Sequence, residues 1–210
     1  MSERIPIFEL PLVCLPSEQV PLHIFEPRYQ AMTAHCLSED LPFGIVLRDD
    51  DGARSVGCLV RIEEILERFE DGRSNIMGRG TEPFTVLDRI ETGEWPEAEI
   101  ETIGADDPTD EGPDAEAARE TFASIAERAT GERPEPAEMD GVTAYEIASR
   151  IELPVETKQA LLERRDEAER MTLLANALKA LQRAIDQAEQ ASERAKSNGS
   201  ASTNGSSPHP

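Results

Sequence analysis

Proline recurs every fifth residue near the amino terminus, at Pro6, Pro11, Pro16 and Pro21. Each ring removes a backbone donor and clashes with a preceding helical turn, so residues 5–25 are left with edge strands and turns. Ile5 to Leu10 then reads as a short extended segment, and Val20, Leu22 and Ile24 alternate with Pro21 and His23 at strand period. At Pro27 the same ring acts the other way, because its fixed φ suits a first helical turn, and Glu26 sits beside the positive end of the helix dipole. Tyr29, Met32, Thr33 and Cys36 share one face of a helix predicted over about Pro27 to Leu37, and that face should lie on a sheet.

Further strands follow at short intervals. Pro42 to Leu47 reads as a strand, Asp49-Asp50-Asp51-Gly52 as a hairpin turn, and Val56, Cys58, Val60 and Ile62 as the returning arm. Ile65 and Leu66 fall out of phase across Glu63-Glu64, which predicts a bulge. Asp71-Gly72 makes another turn, and Ser74 to Met77 should run into a sharp corner at Gly78-Arg79-Gly80. Phe84, Val86 and Ile90 share a face of the next strand, interrupted by Asp88, and Ala98 and Ile100 alternate with glutamates in the last. About six strands with one inserted helix suggest a small, strongly bent sheet or closed barrel.

Residues 104–113 shift to Asp, Gly, Pro and Thr, a linker composition, and the chain beyond is helical. Ala118, Phe122, Ile125, Ala126 and Ala129 form a stripe that ends before Gly131 to Pro136. Thr143 with Glu146 fits a capping box, and Pro154 opens another helix. Met171, Leu174, Leu178, Leu181, Ile185 and Ala188 then repeat by threes and fours in a long final helix. That seam suits either packing within a bundle or a weak homodimer through the last helix. The expected organisation is α+β: a β-barrel over 1–103, an acidic linker over 104–113, a helical bundle over 114–195 and a disordered tail over 196–210.

Among its 210 residues the chain carries a net charge of -22, of which -12 falls in residues 1–103, -9 in 104–140 and -1 in 141–210. Such acidity works against nucleic-acid ligands, whose phosphates need clustered Lys and Arg. The three cysteines, Cys14, Cys36 and Cys58, lack CxxC spacing and read as reduced core residues. No apolar run approaches about 18 residues, and none near the start resembles a secretory signal, so a cytoplasmic protein without a membrane partner is expected.

The segments Ile5-Pro6-Ile7-Phe8-Glu9-Leu10-Pro11-Leu12, Leu15-Pro16 and Val20 to Tyr29 resemble the amino-terminal, substrate-binding domain of the Lon ATP-dependent proteases. Its pattern is proline and apolar residues followed by P-L-x-I-F-E-P-R-Y. Phe43 to Val46, Val56-Gly57, Asp71-Gly72-Arg73 and Gly78-Arg79-Gly80 follow in the same order, and Lys158 to Glu163 and Glu169-Arg170 extend the likeness to roughly residue 190. The resemblance implies a PUA-like β-barrel and a stand-alone recognition module. Its partners would be unfolded or partly folded protein clients and a protease supplied by another chain. Related barrels bind RNA or small ligands, which is the alternative reading.

Catalytic motifs are missing from these residues. The three lysines, Lys158, Lys179 and Lys196, follow no glycine, so there is no phosphate-cradling loop, and none reads as the buried base of a Ser-Lys dyad. A metal site from His23, His35 and Cys14 or Cys36 would require several loops to converge, and no GxSxG elbow appears. We therefore expect a non-enzymatic protein with no cofactor and no metal. The candidate peptide-binding residues are Phe25, Arg28, Tyr29, Met77 and Phe84, though Phe25 also reads as core. Arg28 and Tyr29 would reach a groove beside the helix, and Met77 and Phe84 would sit on neighbouring strands. A peptide would dock in that groove or add to an open barrel edge.

Overall fold

The computed structural model describes residues 2–91, 93–104 and 111–200. Among these, β1 (Glu3–Leu10), β2 (Gln19–Ile24), α1 (Pro27–Glu39), β3 (Phe43–Asp49), β4 (Gly52–Arg68), β5 (Ser74–Ile90) and β6 (Glu97–Thr102) precede the helices. Those are α2 (Ala115–Thr130), α3 (Pro136–Met139), α4 (Ala144–Ala148), α5 (Val155–Glu163) and α6 (Glu167–Ser200). The strand order is β2-β5-β4-β3-β1-β6, and β6 also pairs with β5. The ladders β5-β4-β3-β1-β6 therefore return on themselves, while β2 hangs from the first half of β5. The fold is α+β, with the closed sheet pairing expected from the strand spacing.

β3 lies inside the sheet and is buried on both faces, which explains its unbroken apolar run, whereas β2 and β6 each keep one exposed face. Ile5, Ile7, Val46, Leu59, Phe84, Ala98 and Ile100 form one small cluster. Phe8, Ile45, Cys58, Val60 and Ile76, from alternate positions of the strands, join a larger one with α1 and the later helices. Period-two alternation thus sends the side chains of β1, β3, β4 and β5 into two separate cores, while β2 feeds only the larger and β6 only the smaller.

Local signals hold where they rest on adjacent residues. β4 and β5 shift register between Ile62 and Glu64, at the expected bulge, and β5 and β6 shift between Val86 and Asp88. The corner expected at Gly78-Arg79-Gly80 is a correction: β5 passes through it as one strand, changing partner from β2 to β6. Gly80 is required by close approach, since its N–H donates to Glu18 O at 2.9 Å and its carbonyl accepts from Ser17 N at 2.9 Å. A side chain there would meet the Leu15 backbone.

On the helical side, α2 buries Ala115, Ala118, Phe122 and Ile125, and Gly131 closes it in the left-handed conformation, φ 82°. Burying Phe122 alone contributes about 2 kcal/mol of apolar transfer. Thr143 and Glu146 cap α4 reciprocally. In α6, Met171, Leu174 and Leu178 are buried, while Leu181 and Ile185 pack half-buried on the same cluster, so the first part of the seam is used within the chain.

The larger cluster holds strand residues together with Phe122, Tyr145, Leu161 and Leu178, so the helices and the sheet share one core. Gln159 Nε2 donates to Val56 O at 3.2 Å, and Lys158 pairs with Glu18 across the same junction. Most of the expected linker, 105–110, lies outside the described residues, as does 201–210 of the expected tail. Glu111 is tied to Arg119, and α6 runs through Ser200, past the tail boundary expected at 196.

Candidate functional site

The turn from β2 into α1 positions the candidate residues. Val20, Leu22 and Ile24 point inward, so Pro21, His23 and Phe25 share the outer face. Glu26 is extended at φ -73°, ψ 134°, and Pro27 starts α1. Gln30 Nε2 donates to Phe25 O at 3.0 Å, which fixes the backbone at the junction. Phe25 is 59% exposed, which corrects the core reading of this residue. Its ring stacks on His23 at 5.8 Å, and His23 meets the edge of Phe69 at 6.1 Å. His23 Nδ1 lies 2.6 Å from Asn75 Oδ1, and Asn75 Nδ2 donates to Glu67 Oε2 at 3.1 Å. The signal for Phe25 was strand phase, which outranks residue type.

Met77 lies directly opposite Pro21 across the β2–β5 ladder, half-buried and on the same face as Phe25. Arg28 and Tyr29 go elsewhere. Tyr29 is buried and stacks on Phe8 at 4.3 Å, and burial pushes its phenol pKa up. Arg28 is exposed, bonds Glu26 Oε2 at 3.0 Å and covers the Tyr29 ring at 4.5 Å. Both line a cavity of about 440 Å³ with Glu9, Arg48, Arg89 and Trp95. Arg48 and Arg89 both bond the Glu9 carboxylate, so the charge inside is largely paired. Trp95 Nε1 is buried without a hydrogen-bond partner among the described residues.

Phe84 occupies a third place. It is fully buried in the smaller core, with its ring over Gly44 and Gly57, so it has no surface to offer a peptide. It also shares β5 with Met77, where neighbouring strands were expected. The five candidates thus divide into an outer face (Phe25, Met77), a polar cavity (Arg28, Tyr29) and the interior (Phe84). Strand addition is open at β2, which among the described residues pairs only with β5, but Pro21 offers no N–H there and blunts that edge.

Other chemistry is dispersed. His35 stacks on Trp95 at 5.1 Å, far in role from His23, and no group of three or more His, Cys, Asp or Glu among the described residues is placed to hold a metal. All three cysteines are free and buried. No helix among the described residues is long and apolar enough to cross a membrane.

A closed pairing of five strands with β2 alongside, one inserted helix and an appended helical layer define an α+β domain that carries an apolar outer face. Residues 4–180 match the family model of the ATP-dependent protease La (LON) substrate-binding domain, and the chain belongs to that family. A Lon N-terminal domain protein from Xanthomonas campestris shares the fold, with a TM-score of 0.64 and 24% identity over 82% of this chain and 96% of that one. The N-terminal domain of the Mycobacterium avium complex Lon protease is similar at 0.63 and 19% identity, over 84% and 98%.

Proposed function

We propose that this chain is a non-enzymatic module that binds exposed apolar segments of unfolded or partly folded proteins and passes them to a protease active site on another polypeptide. The family match over residues 4–180, to a domain described as substrate-binding, is the observation that carries this reading. The outer face is consistent with such binding: Phe25 stacks on His23, His23 meets Phe69, and Met77 lies on the same side, an apolar surface in an acidic chain.

The test is a titration of the chain with a permanently unfolded protein, such as reduced and carboxymethylated α-lactalbumin, at several salt concentrations. Apolar burial is not screened, so affinity should be weak and nearly independent of salt. Phe25→Asp, shown folded by thermal melting, should weaken binding roughly fivefold or more. Absence of any binding by the parent ends the reading, and parent-like binding by Phe25→Asp removes this face from it. The same preparation should neither hydrolyse ATP nor degrade casein above a vector-only control.

A further inference from the structure

A second surface lies between α1 and the β4–β5 hairpin. Thr33 and Leu37 from one side and Ile65, Arg68, Phe69 and Arg73 from the other line a groove of about 470 Å³. That volume suits two or three side chains of an extended segment rather than a folded partner. Leu37 is 39% exposed, and Phe69 joins the groove to His23 and Phe25 on the outer face. A segment held on Phe25 would thus reach this groove across the His23 ring.

Its charge sets it apart. In a chain of net charge -22, the groove is lined by two arginines and no carboxylate. Arg73 lies over the Phe69 ring at 5.1 Å and is bonded to Asp71 at 2.7 Å, so its charge is partly neutralised. Arg68 has no ion-pair partner among the described residues, and its neighbour in β4, Glu67, points to the opposite face, where it accepts from Asn75. Thr33 is only 4% exposed, yet its hydroxyl has no hydrogen-bond partner there. A buried hydroxyl left without a partner is costly, and it lies beneath the groove floor.

We propose that this groove seats an apolar client segment carrying an Asp or Glu side chain, with Arg68 pairing that carboxylate. The proposal rests on the protein-binding reading above and adds the substrate class: apolar segments flanked by acid, where the chain's overall charge would favour basic ones.

Three peptides of one apolar sequence, bearing Asp, Asn or Lys at the same two positions, test it on the full chain. The Asp peptide should bind roughly threefold to fivefold tighter than the Asn peptide, the range for a solvent-exposed pair. The Lys peptide should bind weakest. The preference should vanish at about 1 M salt, where the Debye length is about 3 Å. Arg68→Ala should abolish the preference but keep Asn-peptide affinity, Arg68→Lys should retain it, and amide shifts should centre on Gln30, Ala34, Leu37 and Phe69. Equal affinity for the three peptides, an unchanged preference in Arg68→Ala, or shifts confined to other surfaces would overturn the groove assignment. If unfolded α-lactalbumin still binds in that case, the protein-binding reading stands without it; if neither that protein nor any peptide binds, both fall.

Discussion

The ring of Phe84 lies against Gly57 so closely that a Cβ on Gly57 would stand 2.8 Å from the ring's Cζ, and one on Gly44 would stand 2.6 Å from it. Two glycines on adjacent strands thus form a slot for one aromatic ring. Phe84→Ala should lower stability by about 3–5 kcal/mol, and Gly57→Ala, by overpacking, about 1–3 kcal/mol. Urea unfolding of each variant measures both. A loss under 1 kcal/mol for Phe84→Ala would contradict the burial seen here.

Arg170 and Glu167 form an ion pair with side chains only 8% and 4% exposed. Glu167 Oε1 also accepts from Ala144 N at 2.6 Å, and Arg170 donates to the carbonyls of Arg164 and Arg165. Glu167→Gln should cost about 3–5 kcal/mol by leaving the guanidinium buried without its counter-charge. Arg170→Met with Glu167→Leu should recover much of that loss, because both desolvation penalties disappear together. Chemical denaturation of the single and double variants decides it.

Alkaline pH should destabilise the fold. Burial pushes the Cys36 thiol up to about 11 from 9.0, and the Tyr145 phenol up to about 12 from 10.0. A raised pKa means that the folded chain holds a proton which the unfolded chain releases. The stabilisation is complete below the unfolded values and is lost as pH climbs through about 9 to 12. Melting temperature should fall over that window, and Tyr145→Phe should flatten the fall above pH 10. An unchanged profile in that variant would exclude Tyr145 as a contributor.

Composition makes residues 104–110 the expected site of first proteolytic cleavage, followed by sites after 196. Because one apolar cluster contains strand and helix residues, the two fragments from the first cut should remain together on gel filtration. Separation of the fragments, or early cleavage inside 56–69, would argue against this arrangement.

Much of this architecture was legible because its signals are local. The start of α1 at Pro27, the bulge beside Glu63 and Glu64, and the Thr143–Glu146 capping box each depend on a few consecutive residues. The role of Phe84 was not legible, because its slot is built from glycines 27 and 40 positions away that only strand pairing brings beneath it. The parallel pairing of β1 with β3 was hidden for the same reason. Phe25 was legible but misread. Continuing the alternation of β2 by one residue places it outside, whereas aromatic character alone suggested the core. The groove residue Arg68 left no signal, since its environment is set by α1, thirty residues earlier in the chain.

The pairing of β1 with β6 also has a consequence during synthesis. Arg4 and Glu97, which pair across that ladder, are 93 residues apart in sequence. A ribosome adding about 5–20 residues per second needs about 5–20 s to make the intervening chain. Throughout that interval β1 has a partner on one side only, once β3 has emerged, and its other backbone edge is free to pair with a neighbouring nascent chain. Ile7 N donates to Pro96 O at 2.9 Å, so the donors on that waiting edge belong to the odd-numbered residues; Pro6 faces β3 instead, and the edge stays competent to pair until β6 is translated.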